Sequence, residues 1–86
     1  MYRYEDLKPR LFTEDGQEMF ISIRDNTNRL LTQAGAVRLQ EAIKGVCGDS
    51  WLMLACIDRM VERGEIREVT CSEVPAQHRV FVSTVV

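Results

Sequence analysis

Four side chains in this sequence have the chemistry to hold a transition metal or attack an electrophile: Cys47, Cys56, Cys71 and the single histidine, His78. As types, three sulfurs and one imidazole make a tetrahedral zinc set. Their spacing argues against one, because the cysteines lie 9 and 15 positions apart with no CxxC pair. In the element order derived below, the four fall in a turn, inside a helix, at a loop tip and on a returning strand, too scattered to meet one ion. Cys56 reads as a small core residue, and nothing near Cys71 would activate its thiol. A catalytic dyad would need His78 to meet Cys71 or a serine, yet no nucleophile motif or phosphate-cradling loop accompanies it. The expectation is no metal, no cofactor, no small-molecule substrate and no enzymatic activity.

Composition narrows the remaining classes. An odd number of cysteines does not suit a disulfide framework and points to a reducing cytoplasm. Eighty-six residues suffice for one domain with a core of its own but modest stability. The formal charge of −2, from 11 basic and 13 acidic residues, draws the whole molecule neither to nucleic acid nor to anionic lipid, so any polyanion site must be local. The longest apolar run, Trp51 to Ile57, has seven residues, far short of the roughly 18 of a membrane span. The start, MYRYEDLKPR, lacks a secretory h-region. A cytoplasmic protein with no membrane partner is expected.

That apolar run opens the stretch that organises the chain, Asp49 to Gly64, DSWLMLACIDRMVERG, a helix with a cap at Asp49 or Ser50 and a closing glycine. Trp51 to Ile57 is apolar all round, so these turns must be covered on two sides. Upstream, Thr13 to Gly16 reads as a helix start, with Asp15 and Glu18 in capping-box spacing. Gln17 to Ala34 then sets Phe20, Ile23, Thr27, Leu30, Leu31 and Ala34 on one stripe, with an Asp25/Arg29 pair on the solvated side, and Gly35 closes it. Val37 is placed for a small strand pairing with a later hairpin. Leu39 to Lys44 forms a short helix with Leu39, Ala42 and Ile43 inward, and Val46 fills the turn that follows. After Gly64, EIREVT and HRVFVSTV read as two strands joined by a loop of about seven residues that contains Pro75.

Before all of these, Tyr2, Tyr4, Leu7, Leu11 and Phe12 mark one side of an arm that Pro9 makes irregular. Packing on its own domain is the favoured reading of this arm, ahead of joining two subunits, because a small domain needs the buried area.

This order, together with the helix ending IDRMVERGEI and glycines at 35, 45 and 64, resembles the winged helix-turn-helix superfamily over Gln17 to Thr84. The resemblance implies a single α+β domain over residues 1–86, with an N-terminal arm (1–14), a three-helix core (15–64) and a β-hairpin wing (65–84). It also implies that Met53, Cys56, Ile57 and Met60 face the core, leaving Trp51, Leu52, Leu54, Ala55, Asp58 and Arg59 towards a groove. Members of this superfamily mostly bind DNA, while others contact RNA or protein, so fold alone does not fix function.

The side chains depart from a DNA reader's needs. Base edges are read by bidentate polar groups, and on the groove side only Arg59 and the capping Ser50 suit. From Asp49 to Arg79 there are four basic residues (Arg59, Arg63, Arg67, Arg79) against six acidic ones (Asp49, Asp58, Glu62, Glu65, Glu68, Glu73), so phosphate attraction is weak. Two readings follow. In the first, implied by the resemblance, the chain is a regulatory module for double-stranded DNA with Arg38, Lys44, Ser50, Arg59 and Arg79 as contacts. In the second, it is a protein-interaction or homodimerisation module using Tyr2, Tyr4, Trp51, Leu54 and Ala55.

Overall fold

Thr13 starts the longest helix. In the computed structural model, which describes residues 1–71 and 73–84, the Thr13 hydroxyl accepts the Gly16 N–H at 3.1 Å, so α2 spans Glu14–Ala34. Asp15, the expected cap, instead lies in the first turn beside Glu14, where carboxylates complement the helix dipole. Ile23 and Thr27 are buried, Phe20, Leu30 and Leu31 half-buried, and Ala34, expected inward, is exposed. Gly35 takes φ 79° and returns its N–H to Leu31 O at 2.8 Å, a left-handed cap that side chains resist. The Asp25/Arg29 ion pair is not formed; Arg29 Nη2 donates to Asn26 Oδ1 at 3.2 Å instead.

The arm is more ordered than Pro9 suggested. It forms a short helix, α1 (Tyr4–Leu7), continued by a 3-10 turn over Lys8–Phe12 that places Pro9 at its start, where a missing N–H costs nothing. A fourth helix is therefore added to the three expected. Leu7 and Leu11 are buried, and Gly16 lies so close beneath the arm that a Cβ there would sit 2.0 Å from Arg10 O. Gly16 is thus a contact glycine rather than part of a loose helix start.

Strand β1 (Ala36–Arg38) leads into α3 (Leu39–Ala42), and Glu41 reaches back to accept the Arg38 N–H at 3.1 Å. This helix stops before Lys44 because Asn26 Nδ2 takes the carbonyls of Ala42 and Lys44, at 3.1 and 3.3 Å. Next comes α4 (Ser50–Glu62), capped by Asp49 Oδ1 accepting the Trp51 N–H at 2.8 Å. At its end the N–H groups of Gly64 and Glu65 return to Val61 O and Met60 O, both at 3.0 Å, the paired bonds of a Schellman motif.

Strands β2 (Ile66–Glu68) and β3 (Val80–Ser83) complete an antiparallel sheet of order β1-β3-β2, with Val37 opposite Phe81 and Glu68 opposite Phe81 on the other side. Both strands are shorter than the runs EIREVT and HRVFVSTV suggested. The Thr70 hydroxyl accepts the Val80 N–H at 3.3 Å and donates to Glu68 at 2.7 Å, replacing ladder bonds with side-chain bonds, and Ala76–His78 forms a 3-10 turn after Pro75. Of the expected second strand, Val85 lies outside the described residues.

The architecture is α+β. One buried cluster draws Leu11 from the arm, Ile23 from α2, Ile57 and Met60 from α4, and Ile66 and Phe81 from the sheet. Each such burial is worth roughly 1.5–3 kcal/mol against an exposed side chain. Among the described residues no helix is long and apolar enough to cross a membrane.

Candidate interaction surface

Helix α4 is covered on two sides, as its apolar opening turns require. Met53, Cys56, Ile57 and Met60 are buried against the core, and burial raises the Cys56 thiol pKa to about 12, leaving it inert. The opposite side is not the open groove face expected. Leu52 and Ala55 are buried as well, Ala55 completely, so Ala55 is a packing residue and cannot line an interface. The arm supplies the second cover.

Its polar contacts run along α4 from the capping Asp49 to Glu62, most of them on the closing half. The Tyr2 hydroxyl donates to Asp58 Oδ2 at 2.6 Å and the Tyr4 hydroxyl to Glu62 Oε1 at 2.9 Å. Lys8 Nζ meets Glu62 Oε2 at 2.9 Å, and Arg10 Nη1 meets Asp49 Oδ2 at 2.9 Å. Both tyrosines, expected to face a partner, therefore spend their hydroxyls on their own chain, and the arm packs on its own domain. Burial, then the bond to Asp58, holds the Tyr2 pKa above the ordinary phenol value; burial, then the bond to Glu62, raises Tyr4 to about 12. Hydrogen bonds from Lys8, Arg59 and Tyr4, in that order, lower Glu62 to about 2.

The candidate phosphate contacts separate into two groups. Arg59 is committed to Glu62 at 2.7 Å and lies over the Phe12 ring at 5.4 Å. Arg79 is committed more deeply: Nη2 reaches Asp58 Oδ1 and Glu68 Oε1, both at 2.9 Å, and the guanidinium stacks on Phe81 at 5.1 Å. Burial opposes the Arg79 charge, but Glu68 and Asp58 outweigh it and keep its pKa raised. A cation already neutralised by two carboxylates has little attraction left for phosphate. Arg38 and Lys44 are exposed with no side-chain partner among the described residues, and Ser50 is exposed at the first position of α4. Leu39 N–H bonds Arg79 O at 2.9 Å, which brings the backbones of positions 38 and 79 together while their charged groups go to different surroundings.

What remains uncovered on α4 is one edge of its first turn, and elsewhere Phe12, Ile21 and Val69 are exposed as well. Trp51 is 44% exposed, Leu54 is half-buried, and Ser50 is polar and exposed. Beside it an open cleft between α2 and the α3–α4 turn is lined by Met19, Val46 and Leu52, with Asp15, Glu18 and Asp49 also on its walls. Cys47 and Cys71 are exposed, Cys56 is buried and His78 is exposed; among the described residues no three such groups are placed to share an ion.

The residues that spacing did not single out are those that fix the arm: Lys8, Arg10, Gly16 and Gln17, whose Nε2 donates to Leu11 O at 2.6 Å. A signal existed in the glycine, placed one turn into a helix where alanine would be preferred. No match to this chain was found among protein-family models, curated proteins or solved structures.

Proposed function

We propose that this chain is a small, non-enzymatic protein-contact module on a winged-helix-like frame, pairing with a second copy through the opening turns of α4. The frame is supported by the order of helix, strand, short helix, turn, helix and hairpin, with the first strand joining the sheet beside the last. The observation that carries the function is the arm on α4. It occupies the closing half of the helix a duplex reader would present, takes Asp58 and Glu62 as acceptors, and leaves Trp51 as the open aromatic of α4, with Phe12 of the arm exposed as well. Tryptophan is enriched among residues that dominate interface energetics, and two-fold pairs are the commonest assemblies. Three free thiols suit a reducing compartment such as the cytoplasm.

The test is the mass in solution of the intact chain and of Trp51→Ala, with thermal melting as the folding control. A dimer that becomes a monomer while the melting transition is kept supports the reading, and a monomer at all concentrations overturns it. Duplex DNA binding is the competing reading, favoured by Arg38 and Lys44, exposed cations with no side-chain partner among the described residues. Anisotropy with random duplex at low salt would then show binding that falls steeply with added salt and is lost in Arg38→Ala/Lys44→Ala.

A further inference from the structure

The sheet has a second face that neither the core nor the arm uses. Alternation puts Val37, Phe81 and Ile66 inward, and the register then sets two rows outward: Ala36, Val82 and Arg67 in one, Arg38 and Val80 in the other. Val69, whose N–H bonds Val80 O at 2.9 Å, extends the second row. Val80 and Val82 are half-buried and outside the core cluster, while Val69, Ala36, Arg38 and Arg67 are exposed. The face is thus an aliphatic strip with an arginine at each of two opposite corners. Neither arginine has a side-chain hydrogen bond or ion pair among the described residues, although most basic side chains of this molecule do.

We propose that this face binds an extended, acidic segment of a partner protein, carrying a carboxylate at positions i and i+4 and an aliphatic side chain at i+2. Charge and spacing both select it. Two strand separations across the sheet and two residues along it put the Cα atoms of Arg38 and Arg67 about 12 Å apart. In an extended segment, residues i and i+4 point the same way and lie about 13 Å apart, with i+2 between them. Each carboxylate meets a guanidinium, and the middle side chain rests on Val80 and Val82. A second copy is disfavoured because a two-fold contact through this face would set the arginines of one copy against those of the other. Nucleic acid is disfavoured because only aliphatic groups lie between the cations, with neither an aromatic platform for bases nor a polar group for their edges. This face shares no residue with the Trp51 surface, so it stands or falls independently of the proposed dimer.

The experiment uses a displayed library of random dodecapeptides, selected on the intact protein and counter-selected on Arg38→Glu/Arg67→Glu. Peptides kept by the intact chain and lost on the reversed chain should carry the acidic, spacer, aliphatic, spacer, acidic pattern. In titration of one such peptide, the charge reversal weakens binding by about tenfold or more. Arg38→Lys/Arg67→Lys, which keeps the charges, retains most of it. Val82→Ser weakens it with both arginines in place, and Trp51→Ala leaves it unchanged. Thermal melting confirms that each variant folds. The proposal is overturned if no peptide separates the two chains, or if the selected peptides show no acidic pattern. It is equally overturned if the reversed charges abolish binding of a DNA oligonucleotide instead, or turn a dimer into a monomer.

Discussion

The first turns of α4, Ser50 to Leu54, carry no charged side chain and leave Trp51 open to solvent, whereas the last turns, Asp58 to Glu62, carry three charges and lie under the arm. Hydropathy alone would place Trp51 inward with its neighbours Leu52 and Met53, which are buried, and would leave the charged half bare. The charged half is covered because it offers acceptors: Asp58 and Glu62 take the hydroxyls of Tyr2 and Tyr4, so two aromatic rings are brought down without leaving a polar group unpaired. The opening half offers an arm of tyrosines, lysine and arginine the neutral Ser50 hydroxyl and the capping Asp49 that Arg10 reaches. Which half of a helix is covered therefore depends on what its cover brings.

The strongest way to break this contrast is to remove the arm's anchor. Leu11→Ala should cost about 2–5 kcal/mol in urea unfolding, as expected for a buried leucine. Gly16→Ala, which would otherwise favour a helix, should instead cost about 1–3 kcal/mol, because its Cβ would meet Arg10 O at 2.0 Å. An arm that merely rests on the surface would make both changes nearly silent. Asp58→Ala should follow at about 2 kcal/mol, since it leaves the Tyr2 hydroxyl without its acceptor and Arg79 with Glu68 alone. Tyr2→Phe keeps the Arg79 pair and should cost about 1 kcal/mol.

Acid and base sharpen the comparison without mutation. Glu62 has a folded pKa near 2, below its ordinary 4.5, so the support it gives the arm is present above pH 4.5 and lost as pH falls towards 2. Protection of the Tyr4–Leu7 amides, taken against the intrinsic exchange rate at each pH, should fall over that window while protection at Leu52–Ala55 changes less. At the other extreme, Tyr4 is raised to about 12, so the stability linked to its neutral hydroxyl is intact below pH 10 and disappears as pH rises through 12. Absorbance of the phenolate should show Tyr4 ionising well after a free tyrosine. The smallest stability effect belongs to the other half: Trp51→Ala should change unfolding by under about 1 kcal/mol while having the largest effect on association.

Much of the frame could be read from local signals. Gly35 and Gly64 closed the helices they were expected to close, because a left-handed cap needs no tertiary partner to favour glycine. Val37 lies in the small strand expected of it, and Met53, Cys56, Ile57 and Met60 lie in the core, as the resemblance implied. The groove-side assignment that the resemblance implied fails at Leu52 and Ala55, which are buried, because a helix pattern says which residues share a side but not whether another segment lies there. Spacing also missed how fully the basic residues are engaged. Arg59 finds Glu62 within its own helix, but Arg79 is joined to Asp58 from 21 positions away, and Tyr2 to Asp58 from 56.

What this sequence determined by itself was whatever is settled within a turn or two of chain: where helices start and stop, which stripe of each is apolar, and that the opening of α4 needs more than one cover. Only the tertiary structure decided what the covers are and which charges remain free. Those outcomes depend on side chains tens of residues apart meeting in space, and an arginine's availability is set by the carboxylates that reach it, whatever its neighbours in the sequence.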